Sequence, residues 1–236
     1  MEEGLAPSRA RAADLVRRGC VTVAGALALK PGALVADDAP LAVAADAGSS
    51  HVSRGALKLI AALRSFGLSP HGAVALDVGA STGGFTEVLL GEGAAKVYAV
   101  DVGREQLHER LRADPRVVSL EATDARKIDQ TLIPESVTAL VADVSVISLT
   151  QALPAALKRG APGAWLVALV KPQFEAGREA VGKGGIVRDE TEWMRAIARV
   201  RGFLESEGWK VIGVMPSPIT GGSGNVEFLI GARNAP

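Results

Sequence analysis

Four ionisable residues stand where solvation alone does not explain them. Lys58 lies on a segment of helical period, Asp143 ends an apolar run, Lys171 follows Ala168-Leu169-Val170, and Glu227 sits inside Asn225-Val226-Glu227-Phe228-Leu229. Lysine and glutamate are seldom buried unless paired, so apolar neighbours on either side imply an arranged cluster. Structural ion pairs account for any two of the four; four converging on a cleft at the strand ends, three of them at or within predicted strands, point to acid–base chemistry. A hydroxyl is a poor nucleophile at neutral pH, and alkylating it gains from a group that removes or orients its proton. A lysine does this only as the free amine, a state favoured by burial and a second ammonium and opposed by nearby carboxylates. Lys171 is therefore expected as the base or hydroxyl-orienting group. Asp143 and Glu227 are its expected positioning partners, and Lys58 the second cation.

A second constellation reads as a cofactor site. In Leu76-Asp77-Val78-Gly79-Ala80-Ser81-Thr82-Gly83-Gly84-Phe85-Thr86 an apolar strand runs into a glycine-rich turn and then a helix from Phe85 to Leu90. Such a turn lets a ligand lie across the carboxyl ends of a parallel sheet at its switch point. The next strand ends in Tyr98-Ala99-Val100-Asp101-Val102, which places a carboxylate where it can accept both hydroxyls of an adenosine ribose. That serves NAD and S-adenosylmethionine alike, but Gly79, Gly83 and Gly84 lack the spacing that seats a pyrophosphate at a helix N-terminus, which favours S-adenosylmethionine. Asp77 is expected near the ammonium of the cofactor's amino acid portion, or as a carboxylate capping the turn. Asp124 is expected to accept from the adenine amino group.

Apolar runs at 74–78, 97–102, 117–120, 139–144, 165–170, 211–215 and 226–230 alternate with segments of helical period, and this must position the residues above. Strands apolar throughout indicate a mostly parallel sheet covered on both faces, the last two closing as an antiparallel edge hairpin. The fold class is α/β, a Rossmann-like seven-stranded sheet with a small α+β module in front. That module spans residues 1–46, with a short basic helix from Pro7 to Arg18 and strands at Val21–Val23, Ala28–Lys30 and Leu41–Val43. A linker at 47–51 leads to the larger domain at 52–236. Arg9, Arg11, Arg17, Arg18 and Lys30 form a basic patch against one acid, Asp14, and read either as a solvated face or as a phosphate-binding surface.

The chain has 236 residues, 26 basic and 26 acidic side chains and one cysteine, Cys20. A net charge of zero argues against a nucleic-acid coat, though not against a local patch. One cysteine excludes an internal disulfide and fits a reducing compartment, so the cytoplasm is expected. No apolar run reaches a membrane span and no signal peptide is evident. His51, His71 and His108 are scattered, so no metal is expected. The stretch Gly177 to Asp189 places Arg178, Lys183 and Arg188 between glycines and reads as a mobile loop over a substrate mouth, its cations meeting phosphates.

These residues resemble the TlyA group of ribosomal RNA 2′-O-methyltransferases, also called haemolysin A. The resemblance rests on Val52-Ser53-Arg54-Gly55-Ala56-Leu57-Lys58-Leu59, on 77–86, on Ala99 to Gly103, on Ala142 to Leu149, on Leu169-Val170-Lys171-Pro172-Gln173-Phe174-Glu175, on Lys183 to Asp189 and on Gly224-Asn225-Val226-Glu227-Phe228-Leu229. It covers nearly the whole chain. It implies that Lys58, Asp143, Lys171 and Glu227 are the Lys-Asp-Lys-Glu tetrad of FtsJ-like enzymes, that S-adenosylmethionine is held by Asp77, 79–85, Asp101, Val102, Asp124 and Asp143, and that the substrate is a ribose 2′-hydroxyl, of cytidine, in ribosomal RNA or ribosomal subunits.

By the same resemblance the first module is similar to the RNA-binding domain of ribosomal protein S-four, with its basic helix facing RNA; outside that module, Arg54 and the loop cations Lys183 and Arg188 are expected among the RNA-facing residues. Family members carry a further helix ahead of the segment that here is Glu3 to Ser8, so a shortened module is expected. Arg104-Glu105 replaces a small or aromatic pair, and Asp124 stands where Asn is common. The competing classes are a non-catalytic RNA-binding or ribosome-assembly factor and a membrane-active haemolysin. A monomer and a dimer are equally compatible with the sequence.

Overall fold

The computed structural model describes residues 5–6, 12–13, 15–16, 21–28, 30–36, 38–43, 51–182, 184–221 and 224–235. The chain forms two compact units, Met1–Arg54 and Gly55–Pro236.

In the first unit, strands β1 (Val21–Val23), β2 (Ala26–Leu27) and β3 (Leu41–Val43) form an antiparallel sheet of order β2-β1-β3. Ala24 and Gly25 both have positive φ, at 49° and 80°. That is the two-residue turn whose twist suits a tight hairpin, so β2 begins earlier than the expected Ala28. Helical residues Ala12 and Leu15 pack with Ala6, Val21 and Val43, with Leu15 only 4% exposed. Arg9, Arg11, Arg17 and Arg18 lie outside the described residues.

The larger unit is built on a seven-stranded sheet: β4 (Val74–Val78), β5 (Lys96–Val100), β6 (Val117–Leu120), β7 (Val137–Ala142), β8 (Gly160–Val170), β9 (Trp209–Pro216) and β10 (Phe228–Asn234). Their order is β6-β5-β4-β7-β8-β10-β9. β4 to β8 pair in parallel, while β10 is antiparallel to both β8 and β9. This is the α/β fold expected from the alternating apolar runs. The chain's last strand inserts between β8 and β9 instead of extending the edge.

The topology decides what meets at one edge. The parallel strands β5, β4, β7 and β8 all end there, which places Asp101, Gly79, Asp143 and Lys171 along one line. Because β10 runs the other way and Phe228 pairs with Val170, its beginning reaches the same edge, with Glu227 one residue ahead of it.

Helix α1 (Gly55–Phe66) buries Ala56, Lys58, Leu59, Ala62 and Leu63, so Lys58 lies on the packed face of an amphipathic helix. Its last residue, Phe66, rests on Gly213 of β9 and Gly231 of β10, where an added Cβ would come within 2.9 and 2.7 Å of the ring. Helix α2 (Gly84–Gly91) follows β4. After β5 come α3 (Glu109–Arg112), then α4 (Leu149–Ala152) and α5 (Pro154–Leu157) between β7 and β8, and α6 (Pro172–Glu175) after β8. The long α7 (Glu190–Ser206) is capped by Asp189, carries Glu190 and Glu192 in its first turn, and buries Ala196, Ile197, Val200 and Leu204. No helix among the described residues is long and apolar enough to cross a membrane.

Candidate active site

A cleft of about 440 Å³ opens at the carboxyl ends of β4, β5 and β7, the point where strand order reverses about β4. Gly79, Ser81, Asp101, Val102, Asp124 and Asp143 line it. The other cofactor-site residues expected from the sequence lie elsewhere on the same turn. Ala80, Gly83, Gly84 and Phe85 are buried behind it, Thr82 is exposed, and Asp77 is fully buried beneath it. Gly79 has φ +83°, and a Cβ there would meet the Asp143 carbonyl oxygen at 2.7 Å, so this glycine lets the ends of β4 and β7 approach.

Asp77 accepts a hydrogen bond from the Thr86 hydroxyl at 2.7 Å through Oδ2, which ties the strand to the first turn of α2. Its Oδ1 is buried without a hydrogen-bond partner. Burial pushes the carboxyl up to about 7; the Thr86 hydroxyl opposes the rise, and Asp143 and Asp101 add to it. An orphaned carboxylate oxygen beside the cleft suits an ammonium group.

Asp101 organises the turn as well as facing the cleft, accepting from the Ser81 amide at 2.8 Å and the Gly103 amide at 2.7 Å. Each oxygen retains a lone pair for a further donor. Asp124 is more committed than its sequence position suggested. Arg126 donates to both its oxygens, at 3.0 and 2.6 Å, and holds the carboxyl down to about 2. Val102 is 75% exposed at the cleft.

The four ionisable residues form two ion pairs. Lys58 Nζ donates to Glu227 Oε2 at 2.6 Å, with side chains 9% and 3% exposed. Lys171 Nζ lies 2.6 Å from Asp143 Oδ1, with side chains 10% and 23% exposed. Glu227 is thus the partner of Lys58, where the sequence reading had made it a partner of Lys171. The Lys171–Asp143 contact has ion-pair distance but not hydrogen-bond direction, since Asp143 Oδ1 has no hydrogen-bond donor. The hydrogen bond of the amine goes to Ser145 Oγ at 2.9 Å, and the amine sits 6.0 Å from the centre of the Phe174 ring.

Gly221 makes room for the other pair: a Cβ there would lie 2.5 Å from Glu227 Oε1. Two buried pairs at one edge, one open to a cleft, can hold a hydroxyl and handle its proton while their charges remain balanced.

The segment read as a mobile loop is pinned along its second half. Asn225, 2% exposed, accepts from the Val187 amide at 3.0 Å and donates to the Gly185 carbonyl at 2.9 Å. Trp193 Nε1 donates to the Val187 carbonyl at 2.9 Å. Arg188 is exposed beside this anchor, Lys30 is exposed on the first unit and Arg54 is half-buried. Lys183 lies outside the described residues.

Sequence reasoning missed three polar residues that hold the site. Glu121 accepts from the amides of Glu105, Gln106 and Leu107 at 3.1, 2.5 and 2.9 Å and so shapes the loop after Asp101. Glu175 accepts from the Ser148 hydroxyl at 2.6 Å and the Leu149 amide at 2.7 Å. Ser145 meets Lys171. Only Glu175 left a trace in the sequence, as an acid one helical turn after Lys171.

Comparison with known proteins adds an independent line. The family described as FtsJ-like methyltransferase matches residues 51–234. A Mycobacterium tuberculosis (strain H37Rv) protein named 16S/23S rRNA (cytidine-2′-O)-methyltransferase TlyA is 47% identical over 99% of this chain and 87% of its own length. Hemolysin A of Brachyspira hyodysenteriae is 40% identical over 96% of this chain and 94% of its own. A solved structure from Streptococcus thermophilus that carries a hemolysin name superposes with a TM-score of 0.80, at 42% identity, covering 99% of this chain and 86% of that one.

Proposed function

This chain belongs to the FtsJ-like methyltransferase family, and from that premise we propose that it methylates a ribose 2′-hydroxyl, of cytidine, in ribosomal RNA, with Lys171 handling the hydroxyl proton. The observation that carries the reading is the Lys171–Asp143 pair at 2.6 Å, with Asp143 lining the cleft and the unpartnered Asp77 oxygen buried in the strand that ends at it.

S-adenosylmethionine bound in the cleft supplies a methyl group on a sulfonium, which becomes a neutral thioether when the methyl leaves. The residues present fit it. Asp77 Oδ1 lacks a donor and suits the ammonium, Asp101 keeps lone pairs for the ribose hydroxyls, and the exposed Val102 offers an apolar face to the adenine. Asp124 lines the same cleft, but both its oxygens already accept from Arg126, so the adenine amino group would share this carboxylate with the guanidinium. Ser81 and the Gly79 backbone shape the wall.

Lys171 receives the 2′-hydroxyl proton as the oxygen–methyl bond forms, and Asp143 balances the charge that arrives. The pair Lys58–Glu227 fixes α1 and the start of β10 around that point, and holding hydroxyl and methyl in line supplies much of the acceleration. Methylating the 2′-oxygen removes the internal nucleophile of alkaline cleavage. The smaller unit, by its similarity to the S-four domain, holds RNA through Arg9, Arg11, Arg17, Arg18 and Lys30, with Arg54, Lys183 and Arg188 contacting phosphates; the activity belongs in the cytoplasm, where ribosomes are assembled.

The test is to incubate unmodified ribosomal subunits with the chain and labelled S-adenosylmethionine, and map the product by alkaline hydrolysis. A labelled cytidine with an uncut bond beside it is expected. Label released on a base, with ordinary cleavage at its ribose, overturns the reading.

A further inference from the structure

Asp143 and Ser145, which both face Lys171, belong to the loop that leaves β7 for α4. The next residue, Val146, has φ +63° and is 87% exposed. A β-branched side chain in the left-handed region is strained, and such a conformation persists where its surroundings over-determine it. Here both ends of the loop are held. The Asp143 amide donates to the Val78 carbonyl at 3.0 Å, and the buried Glu175 accepts from Ser148 Oγ and the Leu149 amide at 2.6 and 2.7 Å. Glu175 and Lys171 lie one helical turn apart, so one short stretch of chain both presents the amine and grips the loop the amine contacts.

The consequence for Lys171 is directional. Asp143 Oδ1 supplies charge at 2.6 Å but is not aligned as a hydrogen-bond acceptor of the amine. Ser145 Oγ, at 2.9 Å and exposed at the cleft wall, takes an N–H in a proper hydrogen bond. A tetrahedral nitrogen with its carbon and one N–H fixed has its other two positions fixed as well.

We propose that Ser145 is a positioning residue for the transfer: by accepting an N–H of Lys171 it sets the rotation of the amine and aims its proton-accepting position at the substrate hydroxyl. This rests on the assignment of Lys171 given above. The proton of the 2′-hydroxyl goes to the Lys171 nitrogen lone pair, the oxygen–methyl bond forms, and the electron pair of the broken sulfur–carbon bond stays on sulfur. Ser145 gains and loses no proton.

The test compares Ser145→Ala, Ser145→Thr and Lys171→Ala in the full chain, by single-turnover methylation of unmodified ribosomal subunits and by calorimetric titration with S-adenosylmethionine. Ser145→Ala is expected to lower the rate at saturation about 10- to 100-fold, the range for losing a hydrogen bond to a charged group, with KM and cofactor affinity unchanged within about twofold. Ser145→Thr keeps the hydroxyl and restores most of the rate. A wild-type rate in Ser145→Ala beside an inactive Lys171→Ala overturns the role of Ser145 and leaves that of Lys171 standing. A parallel loss of cofactor affinity makes Ser145 a cofactor contact and overturns the proposal too. An active Lys171→Ala removes the reading on which both rest.

Discussion

Lys58 and Glu227 are separated by 169 positions in the chain, yet the lysine amine donates to the glutamate carboxylate at 2.6 Å with both groups almost wholly buried. The four ionisable residues therefore form two separate pairs, one joining helix α1 to the start of β10 and one bordering the cleft.

Removing one partner of the closed pair leaves an uncompensated buried charge. Glu227→Ala should destabilise the larger unit by about 3–5 kcal/mol. The double change Lys58→Met with Glu227→Leu should recover much of that stability, because two apolar side chains of similar volume replace the pair, and methyl transfer, lowered in Glu227→Ala, should recover with it. Denaturant midpoints beside an activity assay follow the two effects.

Asp77 should make both stability and cofactor binding depend on pH. Its folded value of about 7 lies above the ordinary 3.8, so the folded state binds the extra proton between those values and stability falls as pH rises across that window. The slope approaches about 1.4 kcal/mol per pH unit at its steepest. Asp77→Asn keeps an acceptor for Thr86 and should flatten the slope in melting curves from pH 4 to 7. Cofactor affinity should rise through pH 7 in the unaltered chain and release a proton on binding, seen as a buffer-dependent heat.

Glu175→Ala should strip the acceptor from the buried Leu149 amide and cost about 1–3 kcal/mol for that group left unpaired, while the Ser148 hydroxyl keeps Thr150 as a partner. It should also slow methylation, since the loop bearing Asp143 and Ser145 loses its hold. Glu175→Gln keeps a carbonyl oxygen for the Leu149 amide and should stay close to the unaltered chain in melting temperature and rate. Equal losses from both changes would mean that the charge matters, not the hydrogen bonds.

Two glycines should respond oppositely to alanine. At Gly221 the added carbon falls 2.5 Å from Glu227 Oε1, so the buried carboxylate that Lys58 holds through Oε2 must shift. The expected cost is about 1–3 kcal/mol with a sharp fall in rate. At Gly202, inside α7 with nothing within 4 Å of the added carbon, alanine should stabilise by about 0.5–1 kcal/mol and leave the rate alone.

Arg188 is exposed next to Val187, which Asn225 and Trp193 hold in place. If it meets a phosphate, Arg188→Gln should weaken RNA binding and reduce the slope of log K against log salt by about 1, with cofactor affinity unchanged. Binding curves at several salt concentrations decide it; an unaltered slope would take Arg188 out of the interface.

The sequence by itself determined the layers. Apolar runs alternating with helical periods allow only a sheet covered on both faces, and the carboxylates and amine at the ends of four such runs had to share one edge once the strands ran parallel. It also marked Lys58, Asp143, Lys171 and Glu227 as a set, because a charge among apolar neighbours is costly wherever it sits. Which of them pair was decided only in three dimensions. The insertion of β10 between β8 and β9 brings Glu227 to Lys58, a consequence of strand order that no local spacing records. Ser145 and Glu175 escaped notice for the same reason, being ordinary in composition and meaningful only through hydrogen bonds to residues 26 or 27 positions away. Ion pairs and hydrogen bonds act over a few ångströms of space, while sequence patterns report the period of the backbone, so the elements were legible and their contacts were not.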